Sequence, residues 1–249
     1  MAQLEGKVAI VTAGGAGIGQ ATVWLLTERG AEVMAADIDP KGLAETVREA
    51  QNPERIRTVE ADVTTPEGAE NAVQATRDAF GGGLHILANV VGGSRPGYTV
   101  VDMAFDDWRR YFDLNIHSTF LMCKAAIPTM AASGGGSIVN ISSGAGVRGM
   151  ARNPAYVAAK GAVVSLTYSL AIDHAEQHIR ANCIAPGAIL TPLMRRNRTP
   201  EEIAAFGKAN LVGRLGDPRD IAATIAFLSS DDGAFVNGEL INVSGGYRA

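Results

Sequence analysis

Short apolar, β-branched runs alternate along the chain with longer Ala-rich stretches whose apolar positions recur at helical spacing. Lys7-Val8-Ala9-Ile10-Val11-Thr12 is apolar almost without interruption, as suits a strand buried on both faces of a parallel sheet. Runs of the same kind occupy residues 31–37, 56–62, 84–91, 137–142, 180–185 and 239–243. Between them, residues 20–30, 40–51, 66–80, 105–132, 154–178 and 218–230 read as helices. Gly30 closes the first of these, and Pro66 and Pro154 suit first-turn positions. Asp217 caps the helix opened by Pro218, with Asp220 in its first turn. Gly134-Gly135-Gly136 reads as a flexible connector. The alternation predicts an α/β fold: one domain over residues 1–249, a doubly wound parallel sheet of about seven strands with helices on both faces.

Composition narrows the class. At 249 residues, 47% hydrophobic and 19% charged, the chain has ample material for a packed core. A formal net charge of -4 argues against a nucleic-acid partner, which would favour a basic face. Cys123 and Cys183 lie in apolar surroundings without metal-type spacing, so they read as buried thiols in a reducing compartment. The opening Met1-Ala2-Gln3-Leu4-Glu5-Gly6-Lys7 lacks the apolar region of a signal peptide. No apolar stretch of about 18 or more residues stands out either. The expectation is a cytoplasmic protein with no membrane partner. His174 and His178 stand at i,i+4, but without His-Glu-x-x-His or a third ligand no metal site is expected.

Candidate chemistry begins at the turn after the first strand, Thr12-Ala13-Gly14-Gly15-Ala16-Gly17-Ile18-Gly19. Glycines there let the backbone approach a pyrophosphate at a helix N-terminus, although the G-x-G-x-x-G register is absent. Asp37 ends the second strand, where a carboxylate accepts hydrogen bonds from an adenosine ribose and repels a 2′-phosphate. Its neighbour Ile38 is not basic, so the pattern favours NAD over NADP. Asp62-Val63, after the third strand, is placed to contact adenine. Farther along, Tyr156 and Lys160 stand at i,i+4 and share a helix face, with Ser143 thirteen residues before Tyr156. A cation held near a phenol favours the phenolate, which makes the pair a proton-transfer device.

Together these motifs resemble the short-chain dehydrogenase/reductase family over essentially the whole chain. The resemblance implies a Rossmann-like fold, an Asn115–Ser143–Tyr156–Lys160 active site, and a dinucleotide held by Gly14, Gly15, Gly17, Ile18, Gly19, Asp37, Ile38, Asp62 and Val63. It extends the cofactor set to Asn89, Val90, Gly92, Tyr156, Lys160, Pro186, Gly187, Ile189 and Thr191. Arg214-Leu215-Gly216-Asp217-Pro218 and Ser244-Gly245-Gly246 also match in kind. A homotetramer is implied by the family alone. Two departures stand out. Ala13 replaces the first loop glycine, which the loop tolerates if φ stays negative there. Asn89-Val90-Val91-Gly92 lacks the family's second asparagine, so a structural cost or rearrangement is expected.

By this reading Tyr156 is the general base for alcohol oxidation and the general acid for ketone reduction. Lys160 lowers the phenol's pKa, Ser143 binds the substrate oxygen, and Asn115, by family resemblance, positions a relay water. Substrate identity is expected in residues 93–101, 144–152 and 190–211, the last a lid. Arg152 or Arg196 is a candidate grip for an anionic substrate, the alternative being a solvated charged face. An NAD-dependent oxidoreductase of small alcohols and ketones is the first reading. An NADPH-dependent 3-oxoacyl-thioester reductase and a non-catalytic dinucleotide-binding scaffold are the alternatives.

Overall fold

In the computed structural model, which describes residues 3–246, β1 (Val8–Thr12) is buried along its whole length. Residues 1, 2 and 247–249, the ends of the expected domain, lie outside the described residues. β1 is flanked by β2 (Glu32–Asp37) and β4 (Ile86–Asn89), both parallel to it. β3 (Ile56–Glu60) extends the sheet on one side, and β5 (Gly136–Ile141), β6 (Ile179–Pro186) and β7 (Leu240–Val243) extend it on the other. Among the described residues the order is β3-β2-β1-β4-β5-β6-β7, all parallel. The expected α/β architecture of seven strands is therefore present.

Alternate β1 side chains feed two cores. Ala9 and Val11 join α1 (Gly17–Glu28), α2 (Pro40–Arg48) and α10 (Pro218–Ser229) on one face. Ile10 joins α3 (Pro66–Ala79), α5 (Ser118–Ala132) and α7 (Pro154–Asp173) on the other. Each fully buried Ile or Leu here contributes about 1.5–3 kcal/mol, and the double burial explains why the strands read as continuous apolar runs. Because the chain reverses its strand order between β3 and β4, a crevice opens beyond the carboxyl ends of β1 and β4.

Several boundaries differ from expectation for identifiable reasons. The segment 105–132 forms α4 (Phe105–Phe112), a π-turn (Asp113–His117) and α5. α7 stops at Asp173, and His178 lies beyond it in a left-handed conformation, so His174 and His178 do not share a helix face. α7 is also long and apolar enough, by length and composition, to cross a membrane, contrary to expectation. It lies instead against the sheet with Ala155, Ala159, Lys160, Val163, Thr167 and Leu170 buried. Gly135 is no loose connector, since a Cβ there would lie 2.3 Å from the His178 carbonyl oxygen. The segment 190–211 contains α8 (Pro192–Asn197) and α9 (Pro200–Ala209), while α6 (Gly144–Arg148) follows β5 directly.

The turn from β1 to α1 holds a correction. Ala13 has φ 54°, in the left-handed region and not at the negative value expected of it. The turn is closed so tightly that a Cβ on Gly19 would lie 1.9 Å from the Ala13 carbonyl oxygen. The left-handed conformation costs a residue with a Cβ about 1–2 kcal/mol, and glycine's extra unfolded-state entropy offsets about 0.4–1 kcal/mol of that. Ala13→Gly is therefore expected to stabilise the protein by about 0.5–1 kcal/mol, read as a higher urea midpoint at unchanged slope. An unchanged or lower midpoint would show that the turn carries no strain at Ala13.

Candidate active site

Where β5 ends, the chain turns into α6 through Ser143, whose side chain accepts a hydrogen bond of 3.1 Å from the Ala145 amide. The same hydroxyl meets the Tyr156 phenol. Tyr156 and Lys160 occupy the first turns of α7, opened by Pro154, so the i,i+4 geometry read from the spacing is realised. Lys160 is buried, and its Nζ donates to the Ile141 carbonyl at 2.8 Å. Behind it, the Ser142 hydroxyl donates to the Lys160 carbonyl at 2.7 Å.

Burial sets the proton affinities of this pair. It pushes the Lys160 ammonium down to about 8, because the charged form has lost its water. The Tyr156 phenol is moved upward by burial, with the Ser143 hydrogen bond opposing the shift in part. The expectation that Lys160 depresses the phenol is thus corrected: desolvation dominates, and the ammonium is engaged by Ile141.

Asn115 sits in the π-turn, fully buried. Its Oδ1 accepts from the Gly93 amide, and its Nδ2 donates to the Gly93 and Tyr111 carbonyls, each at 3.0 Å. Gly92 passes between this amide and the lysine: a Cβ there would lie 2.6 Å from Lys160 Nζ and 2.8 Å from Asn115 Oδ1. Asn115 therefore clamps the segment after β4 against the lysine, and a π-turn is a common way to place such a residue.

The expected cofactor residues divide by position. Gly17, Ile18, Gly19, Val90, Gly92, Pro186, Gly187, Ile189 and Thr191 line one cavity of about 660 Å³, together with Ser143, Tyr156, Lys160 and Arg196. α1 begins there with Ala16 as its N-cap, which supplies no side-chain cap, and with no acidic residue in its first turn. Open backbone amides and an uncancelled dipole suit a pyrophosphate. Gly14 and Gly15 form the loop wall, where a Cβ would come within 2.8 Å of Ala35 Cβ or 3.0 Å of Asp37 Oδ2. The Asp37 carboxylate is fixed beside that loop, accepting from the Gly15 and Asp39 amides at 3.0 Å each. These features fit a dinucleotide.

Other expected residues fall elsewhere. Ile38 is exposed beside Asp37. Asp62 is exposed and accepts from Thr64, and Val63 belongs to the core, so neither borders the cavity. Asn89 points into the sheet and donates to Asn140 Oδ1 at 2.9 Å, while its own Oδ1 has no hydrogen-bond partner among the described residues. After Asn89, where the family's second asparagine is missing, the Thr12 hydroxyl accepts from the Val90 and Val91 amides at 2.9 and 3.2 Å. Arg152 is not at the cavity: its guanidinium donates to the Gly97 carbonyl, and its own carbonyl accepts from Gly97 and Tyr98. It ties the loop after β4 to the start of α7. Cys123 and Cys183 are buried free thiols, raised by burial to about 12 and about 11.

Sequence reasoning passed over Thr12, Ser142, Met194 and Phe206. The first two act through hydrogen bonds to backbone groups that no spacing announces. Met194 and Phe206 reach the cavity only through the packing of α8 and α9. The Arg214–Pro218 motif acquires a structural role as well: Gly216 makes room for Ile189, and Arg214 pairs with Asp220 of the α10 capping box.

Comparisons with known proteins agree with this geometry. The family described as enoyl-(acyl carrier protein) reductase matches residues 12–248. Cyclohexanol dehydrogenase of Acinetobacter sp. (strain SE19) is 35% identical, over 99% of this chain and 97% of its own length. The 3-oxoacyl-(acyl-carrier-protein) reductase FabG of Thermotoga maritima is 33% identical, over 98% of each chain. The structure of 7α-hydroxysteroid dehydrogenase complexed with NADH and 7-oxo glycochenodeoxycholic acid superposes with a TM-score of 0.92 at 33% identity, covering 99% of this chain and 96% of that one.

The contact of Gly92 with both Lys160 and Asn115 yields a sharp test. Gly92→Ala is expected to displace the ammonium or the amide by part of an ångström and to lower kcat about 100-fold, the scale of such misplacements. Circular dichroism should stay native. A variant within about threefold of the parent would show that the clamp does not matter.

Proposed function

The chain belongs to the short-chain dehydrogenase/reductase family, and from that premise we propose that it is an NAD-dependent alcohol dehydrogenase and ketone reductase acting on a small organic substrate. The observation that carries this reading is the convergence of Ser143, Tyr156 and Lys160 on one cavity whose floor is the uncapped start of α1. The names of the relatives support it: one is a cyclohexanol dehydrogenase and another a hydroxysteroid dehydrogenase bound to NADH. Asp37 supports NAD over NADP, because a fixed carboxylate repels a 2′-phosphate.

The chemistry that the dinucleotide supplies when bound is exchange of a hydride with the carbinol carbon. Gly14 to Gly19 and the start of α1 would hold its pyrophosphate, and Asp37 its adenosine ribose. Ser143 orients the substrate oxygen and stabilises charge on it. Tyr156 takes the hydroxyl proton in oxidation and returns it in reduction. Lys160, next on the same helix face, completes the titrating pair. Asn115 holds Gly93, and with it the wall between pair and solvent, in place. The α8–α9 segment, which brings Met194 and Phe206 to the cavity, serves as the lid.

The reductase relative of Thermotoga maritima supports a second reading, a 3-oxoacyl-thioester reductase using NADPH. A non-catalytic scaffold has less in its favour, since the complete Ser–Tyr–Lys set persists. We also read the protein as a cytoplasmic homotetramer. α7 is apolar on all sides yet buries only one face, leaving Tyr168 and Ile172 exposed, as Leu114 and Phe120 also are. A mass of four chains by light scattering is the expected result, and a monomer would overturn it.

Two further measurements test the activity. A screen of secondary alcohols is expected to give NAD reduction at least about 100-fold better in kcat/KM than with NADP, the scale of a like-charge clash. Tyr156→Phe should lose about 10²–10⁴-fold; turnover that prefers NADP would favour the thioester reductase, and no turnover of any alcohol or ketone would favour the scaffold. The pH profile follows from burial. Lys160 sheds its proton near pH 8, while burial keeps the Tyr156 phenol protonated beyond its ordinary value. Oxidation needs the pair one proton short, so its kcat/KM should rise up to about pH 8 and then level, while reduction should decline above it. In Lys160→Met the inflection should move up toward the phenol's raised value; an inflection that stays in place would assign it to another group.

A further inference from the structure

Beside the catalytic cavity lies a second groove, of about 520 Å³, that shares Gly93, Ser94, Leu193, Arg196 and Asn197 with it. The two form one continuous depression, and their linings differ in character. The catalytic part is walled by apolar side chains such as Val90, Met150, Leu193, Met194 and Phe206. The groove is bordered by Arg95, Arg110 and Arg196 with a single carboxylate, Asp107.

The ion pairs decide which of these charges are available. Asp107 is taken by Arg110, its i,i+3 neighbour on α4. Arg198, nearby on the cavity wall, is engaged by Glu202 at 3.2 Å and lies over the Phe206 ring. Among the described residues the guanidinium groups of Arg95 and Arg196 have no ion pair or hydrogen bond. The groove therefore carries two uncompensated cations, and Lys160 does not line it.

The Arg95 backbone is also held in place. The Tyr111 hydroxyl donates to the Arg95 carbonyl at 2.7 Å and accepts from the Arg95 amide at 3.1 Å. Two residues earlier, Asn115 fixes Gly93 by two further bonds. The segment that presents Arg95 is thus anchored by the same π-turn region that flanks the catalytic lysine. Arg196 approaches from α8, which starts at Thr191 against Gly17. A guanidinium carried on an anchored backbone from one side and a lid-borne one from the other suit a planar, bidentate acceptor.

We propose that this groove binds the anionic end of the substrate, so that the physiological substrate is an organic acid: a secondary alcohol or ketone on an apolar ring or chain that ends in a carboxylate. The apolar body fills the catalytic cavity, the carbinol faces Ser143 and Tyr156, and the carboxylate meets Arg95 and Arg196. The proposal rests on the dehydrogenase reading for where the carbinol lies, and not for the anion site itself.

Binding tests this without turnover. Cyclohexanecarboxylate and its neutral isostere cyclohexanecarboxamide are titrated calorimetrically into the full-length protein at low salt. The expected result is at least about tenfold tighter binding of the carboxylate, the scale of one charge-assisted hydrogen bond. That preference should shrink in 0.5 M salt, be lost in R95A/R196A, and survive in part in R95K/R196K, which keeps the charge. Far-UV circular dichroism and the melting transition establish that the variants fold. Equal binding of the two probes, no binding of either, or a preference that persists in R95A/R196A each overturns the proposal. Failure of the dehydrogenase reading would show separately, as absent NAD-linked turnover with any alcohol, whatever the anion does.

Discussion

The Lys160 ammonium lies out of water, 2.8 Å from the Ile141 carbonyl oxygen, and the site is arranged around that burial. Removing an ammonium from water costs several kcal/mol unless hydrogen bonds compensate. Three neighbouring positions are fitted to it. Gly92 has no side chain, so Nζ can approach its backbone. Gly146 lets α6 close on the lysine's own backbone, where a Cβ would lie 2.8 Å from Lys160 Cβ. Ser142 donates to the Lys160 carbonyl. They belong to the two segments that leave the carboxyl ends of β4 and β5, so the burial of one side chain couples the sheet, α6 and α7.

That burial also accounts for the chemistry. An ammonium pushed down to about 8 and a phenol pushed up give a pair that holds both protons at neutral pH and releases one just above it. Such a pair serves either direction of a carbonyl–alcohol interconversion, with solution pH and substrate supply deciding which prevails. Ser143 adds a contact to Tyr156 without adding charge. The cofactor end is built by a different means. There, glycines and an uncapped helix provide backbone donors, and Asp37 is held by the very loop it borders.

Much of this was legible in the sequence, and the limits follow from which interactions sequence patterns report. β1 and β4 are buried on both faces, so their apolar runs are unbroken and unambiguous. Tyr156 and Lys160 share a helix face because 3.6-residue periodicity requires it. Long-range hydrogen bonds are another matter. Thr12 holds the Val90 and Val91 amides from seventy-eight and seventy-nine residues away, a contact no local pattern announces. Arg152 resembled a substrate grip by proximity to Tyr156, yet its guanidinium closes on the Gly97 carbonyl. The left-handed Ala13 runs against its own local preference, and its carbonyl lies where only a glycine at position 19 fits. Charge availability is likewise a property of the fold: Arg110 and Arg196 look alike in sequence, and only pairing with Asp107 separates them.

Burial destabilises the charge of Lys160, and that can be measured directly. A titration of Lys160 followed by ¹³C and ¹⁵N NMR at Cε and Nζ, assigned by its disappearance in Lys160→Met, reports the proton affinity without reference to turnover. The expected midpoint is about 8. A midpoint at the ordinary lysine value of 10.5 would contradict the claim that burial of this ammonium organises the site.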